Sequence, residues 1–218
     1  MERQGLVEKE RGVERLIFFT DAVVAIAITL LILPLVEIVT TDANRSQPVA
    51  VEHFLQGNVD QFFAFALSFA IIARLWMANH GILLNTVRAT PALMWLDIAW
   101  VFTIVVLPLP TEITAVYQPT KLIVGLYIGT GLASMLLLTA LCFYLYRHPG
   151  LQAKGSPIAD TQLWGVGSTA AGFTIAFSLS AIFPVIHYYS LLILVLTYPL
   201  DLIVKPRIAR RQAARAKK

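Results

Sequence analysis

Apolar residues in this chain run together in long blocks, with short polar stretches between them. The blocks cover about residues 16–39, 54–84, 92–114, 119–146, 161–183 and 187–204. A helix needs about 20 predominantly apolar residues to cross a bilayer core. The pattern therefore predicts an all-α, polytopic membrane protein with six transmembrane helices. Residues 1–14 read as a polar lead, 15–204 as the transmembrane domain and 205–218 as a basic tail. Only Pro184 and a few neighbours separate the last two blocks, which predicts a tight hairpin.

The first block, RLIFFTDAVVAIAITLLILPLVEIV from Arg15, is interrupted by Thr20-Asp21. As a helix, the uninterrupted part from Ala22 to Val36 spans only about 22 Å. A crossing helix must then begin near Leu16, which places Asp21 within the membrane, where a carboxylate marks a functional site or a buried polar network. The ordinary alternative is that Thr20-Asp21 caps a helix starting there. Pro34 is expected to kink the helix or end its regular part. Ile26, Leu30 and Leu33 stack on one helical face with Thr29 beside them. Such a stripe is ordinary apolar surface on one helix. Around an axis of several copies it would be a hydrophobic constriction.

Charge fixes the expected orientation. Six spans put both termini on one side together with loops 85–91 and 147–160, and that side carries fourteen of the seventeen Lys and Arg. The positive-inside rule places both termini in the cytosol. The basic residues lie between and after the apolar runs, so the formal charge of +4 reflects topology and not a nucleic-acid surface. With 57% hydrophobic and 14% charged residues, an ordinary soluble domain is excluded. The tail can also touch anionic headgroups of the lipid bilayer.

Alternating helix direction brings several polar residues to one depth near the inner face. Arg15, Thr20 and Asp21 come from span one, Trp76, Asn79 and His80 from span two, and Trp95 and Asp97 from span three. The expected pairs are Arg15 with Asp21, His80 or Asn79 with Thr20 or Asp21, and Arg74 with Asp97. Such a layer either clamps span one against its neighbours or handles ions. Gly125-x3-Gly129 and Ser168-x3-Gly172 predict close helix packing.

Catalytic signatures are missing. No HExxH and no phosphate-binding glycine loop occurs, and the lone Cys142 sits in an apolar run. These features predict a protein that is not an enzyme and has no cofactor or bound metal. Gly165-Val166-Gly167 lacks the TVGYG run and half-helix of a carbonyl filter.

Arg15-x3-Phe19-Thr20-Asp21 resembles the R-x3-F-S-D signature of the transmembrane protein 175 family of endosomal and lysosomal potassium channels. Trp76-x2-Asn79-His80 and Leu107-Pro108-Leu109-Pro110-Thr111 follow in the family's order, against W-x2-H-H and P-F-P-T. Thr20 stands for the usual Ser and keeps the hydroxyl. Asn79 stands for the first His and cannot titrate, and Leu109 stands for Phe. The resemblance implies a single-unit, prokaryote-type member in a bacterial plasma membrane, assembling as a homotetramer with span one lining the pore. It implies that Ile26, Leu30 and Leu33 form hydrophobic rings with Thr29 beside the innermost, and that monovalent cations pass, potassium in preference to sodium. Arg15, Thr20, Asp21, Trp76, Asn79 and His80 would match the family's buried polar network. The alternative is a proton-coupled or other secondary transporter using Asp21, His80 and Asp97, for which the chain lacks an inverted repeat or broken-helix pair.

Overall fold

The computed structural model describes residues 2–44, 49–118, 120–153 and 160–182, with Ser190, Val204 and 206–208. The described residues form α1 (Glu2–Leu30), α2 (Leu33–Ala43), α3 (Val51–Gly57), α4 (Val59–Leu84), α5 (Pro91–Val106), α6 (Pro108–Val116), α7 (Lys121–Arg147) and α8 (Asp160–Ile182). Five stretches among them are long and apolar enough to cross a membrane: Gly12–Ala43, Val59–Leu84, Pro91–Thr114, Lys121–Arg147 and Thr161–Ile182. The expected sixth span, the hairpin at Pro184 and nearly all of the basic tail lie outside the described residues.

The ends and breaks follow local chemistry. Thr90 and Thr120 cap α5 and α7 by accepting the backbone N–H of Leu93 and Ile123, each at 3.3 Å. Pro91 starts α5, where its missing N–H costs nothing. Pro34 leaves the Leu30 carbonyl without its donor and crowds it, so the first span breaks at residues 31–32. The N–H of Leu31 and of Ile32 instead bond the carbonyls of Ile28 and Thr29, at 3.3 and 3.4 Å. Pro108 breaks the third span at Leu107 in the same way. Thr20 and Asp21 lie inside α1, so they do not cap its start.

Burial shows how the elements pack. Val13, Leu16, Ile17, Val24 and Ala27 form the buried face of α1, continued by Leu31 at the break, and α1 lies against both α4 and α5. Trp100 of α5 is fully buried, as are Leu138, Leu141 and Leu145 of α7. Helices α7 and α8 pack closely at Gly131, where an added Cβ would stand 2.7 Å from the Phe173 ring. The predicted small-residue pair is only half used there. Gly129 faces Phe177, whereas a Cβ on Gly125 would meet nothing within 4 Å.

The two short polar loops meet at one end of the bundle. The Val87 N–H donates to the Leu151 carbonyl at 2.8 Å, and the Ala153 N–H donates to that of Asn85 at 2.9 Å. Loops 85–91 and 147–153 therefore share a side, as helix alternation requires.

Candidate functional site: a polar clamp behind an exposed helix face

Thr20 and Asp21 are adjacent on α1, so they point about 100° apart and reach different helices. The Thr20 hydroxyl donates to Asp97 Oδ2 on α5 at 2.6 Å. Asn79 Nδ2 on α4 donates to Asp97 Oδ1 at 2.8 Å. Thr20, Asn79 and Asp97 are all buried, the last two completely. A carboxylate that accepts two side-chain donors is satisfied at both oxygens, which permits its burial. Asp97 thus ties three helices at one point.

Asp21 turns to α4. Trp76 Nε1 donates to its Oδ1 at 2.7 Å, and His80 Nδ1 lies 3.2 Å from the same oxygen. The Trp76 and His80 rings sit 5.4 Å apart, so the indole and imidazole brace each other. Unlike Asp97, both Asp21 and His80 remain about one-third exposed, at 30% and 31%.

Two expected pairs do not form. Arg15 is exposed and does not pair with Asp21. Six residues separate them, which sets them about 120° apart round α1. Arg15 therefore stands outside the buried network in the single chain. Arg74 does not reach Asp97 either. Its Nη2 donates to Thr169 on α8 at 3.2 Å, because Arg74 and Asn79 point about 140° apart on α4. Thr20 and Asn79 meet Asp97 instead of one another or Asp21.

A second polar cluster lies further out and was not anticipated. The Ser68 hydroxyl of α4 lies 3.0 Å from that of Thr111 on α6 and 2.8 Å from that of Tyr127 on α7. Thr111 also donates to the Leu107 carbonyl at 2.8 Å, just where Pro108 interrupts the helix. The available signal was a lone serine in the apolar run from Phe62 to Ala73.

The face of α1 and α2 turned away from the clamp is uncovered. Arg15, Phe19, Ala22, Ile26 and Leu30 follow one helical face, and all are exposed. Ile26 is 60% exposed, Leu30 42% and Leu33 55%, values without precedent among the residues of the clamp face. Thr29 is exposed too, and its hydroxyl bonds back to the Ile26 carbonyl at 2.8 Å. The helix break separates Ile26 and Leu30 on α1 from Leu33 on α2. Among the described residues, no three His, Cys, Asp or Glu side chains converge as a metal would require.

Membrane-length helices around a buried polar clamp, one of them with an uncovered apolar face, define a multi-pass integral membrane protein. Residues 15–108 match the family model "Endosomal/lysosomal potassium channel TMEM175". A curated potassium channel of Streptomyces collinus is 32% identical over 99 residues, which cover 45% of this chain and 46% of that one. The chain therefore matches less than half the length of that relative. The crystal structure of a lysosomal potassium-selective channel TMEM175 homolog from Chamaesiphon minutus has the same fold, with a TM-score of 0.64 and 23% identity over 93% of this chain and 98% of that one. A variant of the potassium channel MtTMEM175, solved with a nanobody–MBP fusion, gives a TM-score of 0.56 and 17% identity over 92% and 93%. The family match thus covers less than half of the chain, and the likeness to the solved structures is one of fold.

Proposed function

We propose that this chain is one subunit of a homotetrameric cation channel that conducts potassium in preference to sodium. The observation that carries the reading is the uncovered apolar stripe Ile26–Leu30–Leu33, which lies opposite the clamp. Four copies around an axis would bury that stripe as successive hydrophobic rings, with Ile26 the innermost and Thr29 beside it. A cyclic assembly gives every copy the same environment. The relatives described above are all potassium channels, which supplies the ion. Arg15, Thr20, Asp21, Trp76, Asn79 and His80 line or flank the layer that holds the pore helix in place. In a bacterial plasma membrane, the distribution of basic residues puts the 1–14 lead and the 205–218 tail in the cytosol.

The buried carboxylate favours this reading over a proton-coupled carrier. Asp97 is fully buried and accepts one donor at each oxygen, so a substrate could reach it only by breaking the clamp.

Assembly is the direct test. The protein in mild detergent is expected to have four times the 24.1 kDa chain mass, and after reconstitution to pass large, passive, non-saturating potassium currents. A monomeric mass that still conducts would overturn the pore arrangement. Saturable, coupled exchange would favour a carrier, and absence of flux would mean that the protein does not transport.

A further inference from the structure

We infer that the groove between α4 and α8 binds an anionic phospholipid, with its phosphate on Arg74, from the leaflet at the end of the bundle where loops 85–91 and 147–153 meet.

The groove is a cavity of about 240 Å³. Ile71, Arg74 and Gly81 of α4 line one wall, Gln162, Thr169 and Phe173 of α8 line the other, and the buried Met135 of α7 forms the floor. Arg74 and Met77 on its rim are exposed, so it opens on the surface that a bilayer covers.

Polarity changes along its length. Gly131 faces Phe173 and Gly129 faces Phe177, so α8 runs antiparallel to α7 and starts at the end where α7 finishes. Gln162, Gly81 and Arg74 therefore lie toward the loops, while Ile71 and Phe173 lie deeper in the membrane. A polar entrance leading to an apolar interior suits a headgroup followed by the start of its acyl chain.

Arg74 is positioned to hold that headgroup. The Thr169 hydroxyl donates to the Gly165 carbonyl at 2.9 Å, which leaves its oxygen to accept Arg74 Nη2 at 3.2 Å. That contact sets the guanidinium at the edge of the groove. Guanidinium has five N–H donors in a planar fork that matches a phosphate bidentately.

Depth favours a lipid over a soluble anion. Trp164 near the start of α8 is exposed, as are Trp95 and Tyr146 at the same end of α5 and α7. Exposed Trp and Tyr sit at the headgroup level of membrane helices. Thr169 lies about 8 Å deeper than Trp164, within the hydrocarbon. A charged side chain at that depth is costly against acyl chains and thins the bilayer around it, which draws headgroups inward. Basic pockets between membrane helices bind anionic headgroups. A zwitterionic lipid brings its own cation to the site, so the anionic one is preferred.

The test is lipid binding by the full protein in mild detergent. Phosphatidylglycerol or phosphatidylcholine of the same acyl chains is added, and binding is read by native mass spectrometry and melting temperature. Phosphatidylglycerol should be retained and should raise the melting temperature, and phosphatidylcholine should do neither. Arg74→Gln should weaken phosphatidylglycerol binding by about tenfold or more, as loss of a hydrogen bond to a charged group implies. Gly81→Leu should weaken it similarly by filling the groove with Arg74 in place, because a Cβ at Gly81 meets nothing within 4 Å. Arg147→Gln, at the same end but outside the groove, should bind as wild type. Equal retention of the two lipids, or an equal loss in Arg147→Gln, would mean general surface attraction and overturn the site. Wild-type affinity in a folded Arg74→Gln protein also overturns it. If that variant does not fold, wild-type affinity in Gly81→Leu does so instead. Inorganic phosphate that raises the melting temperature as far as phosphatidylglycerol would put a free anion in place of the lipid and overturn the proposal as well.

Discussion

Asp97→Ala is expected to abolish recovery of the assembled protein, whereas Asp21→Ala should yield a folded protein of reduced stability. The difference comes from burial. Removing the Asp97 carboxylate strands the Thr20 hydroxyl and the Asn79 amide, both of which are buried. Each stranded group costs about 1–3 kcal/mol, so the pair costs about 2–6 kcal/mol. That is a large fraction of the about 5–15 kcal/mol margin of a typical domain. Removing the Asp21 carboxylate strands Trp76 Nε1, but its neighbour His80 is about one-third exposed, so water can reach the site. Asp97→Asn should fall between the two. Its amide oxygen can still accept from Asn79, while its NH₂ group must face the Thr20 oxygen. The check is the tetramer fraction and melting temperature of detergent-purified protein. An Asp97→Ala tetramer that melts like wild type would mean that the carboxylate does not hold the helices.

The membrane class and the order of the described spans were legible because both rest on long apolar blocks, a signal that tertiary packing does not alter. That Thr20, Asp21, Trp76, Asn79, His80 and Asp97 share one level of the bundle was legible as well, since helix direction alone brings them there. Which partners meet within the layer was not. Depth brought Arg15, Asp21, Arg74 and Asp97 together, but azimuth decides contact, and azimuth depends on how each helix rolls against its neighbours. The same limit hid the central position of Asp97. Nothing in its immediate sequence, Trp95-Leu96-Asp97-Ile98, marks it as the residue on which Thr20 and Asn79 converge. Pro34 announced a disturbance, and the structure converts it into a break that begins a separate short helix, as it does at Pro108, which carried no such expectation. The break at Asn58 had no proline to mark it. There the Asn58 amide donates to the Phe54 carbonyl at 2.7 Å, a local bond that competes with the helical ladder.

Ile26→Asn is expected to enlarge the current and weaken discrimination between potassium and sodium. Four isoleucines at an axis present only methyl and methylene groups, with no carbonyl or carboxylate to replace lost water. A cation passing a tight ring of this kind must shed hydration without compensation, so the less strongly hydrated potassium meets the lower barrier. The resulting preference is modest, unlike that of a filter whose carbonyls substitute for water. Asparagine places amide groups at the same position, lets the ring wet and supplies partial ligands to either ion. Lowering the barrier by about 1.4 kcal/mol raises the current tenfold. Sodium should gain more than potassium, since it had more hydration to lose, and the reversal potential in mixed solutions should move toward the non-selective value. Leu33 lies beyond the helix break, so Leu33→Asn should leave the reversal potential close to wild type if the proposed Ile26 ring is what discriminates. Single-channel current and reversal potential, measured for both variants in asymmetric potassium and sodium, decide the matter. An Ile26→Asn channel with wild-type conductance and reversal potential would place the constriction elsewhere on the pore helix.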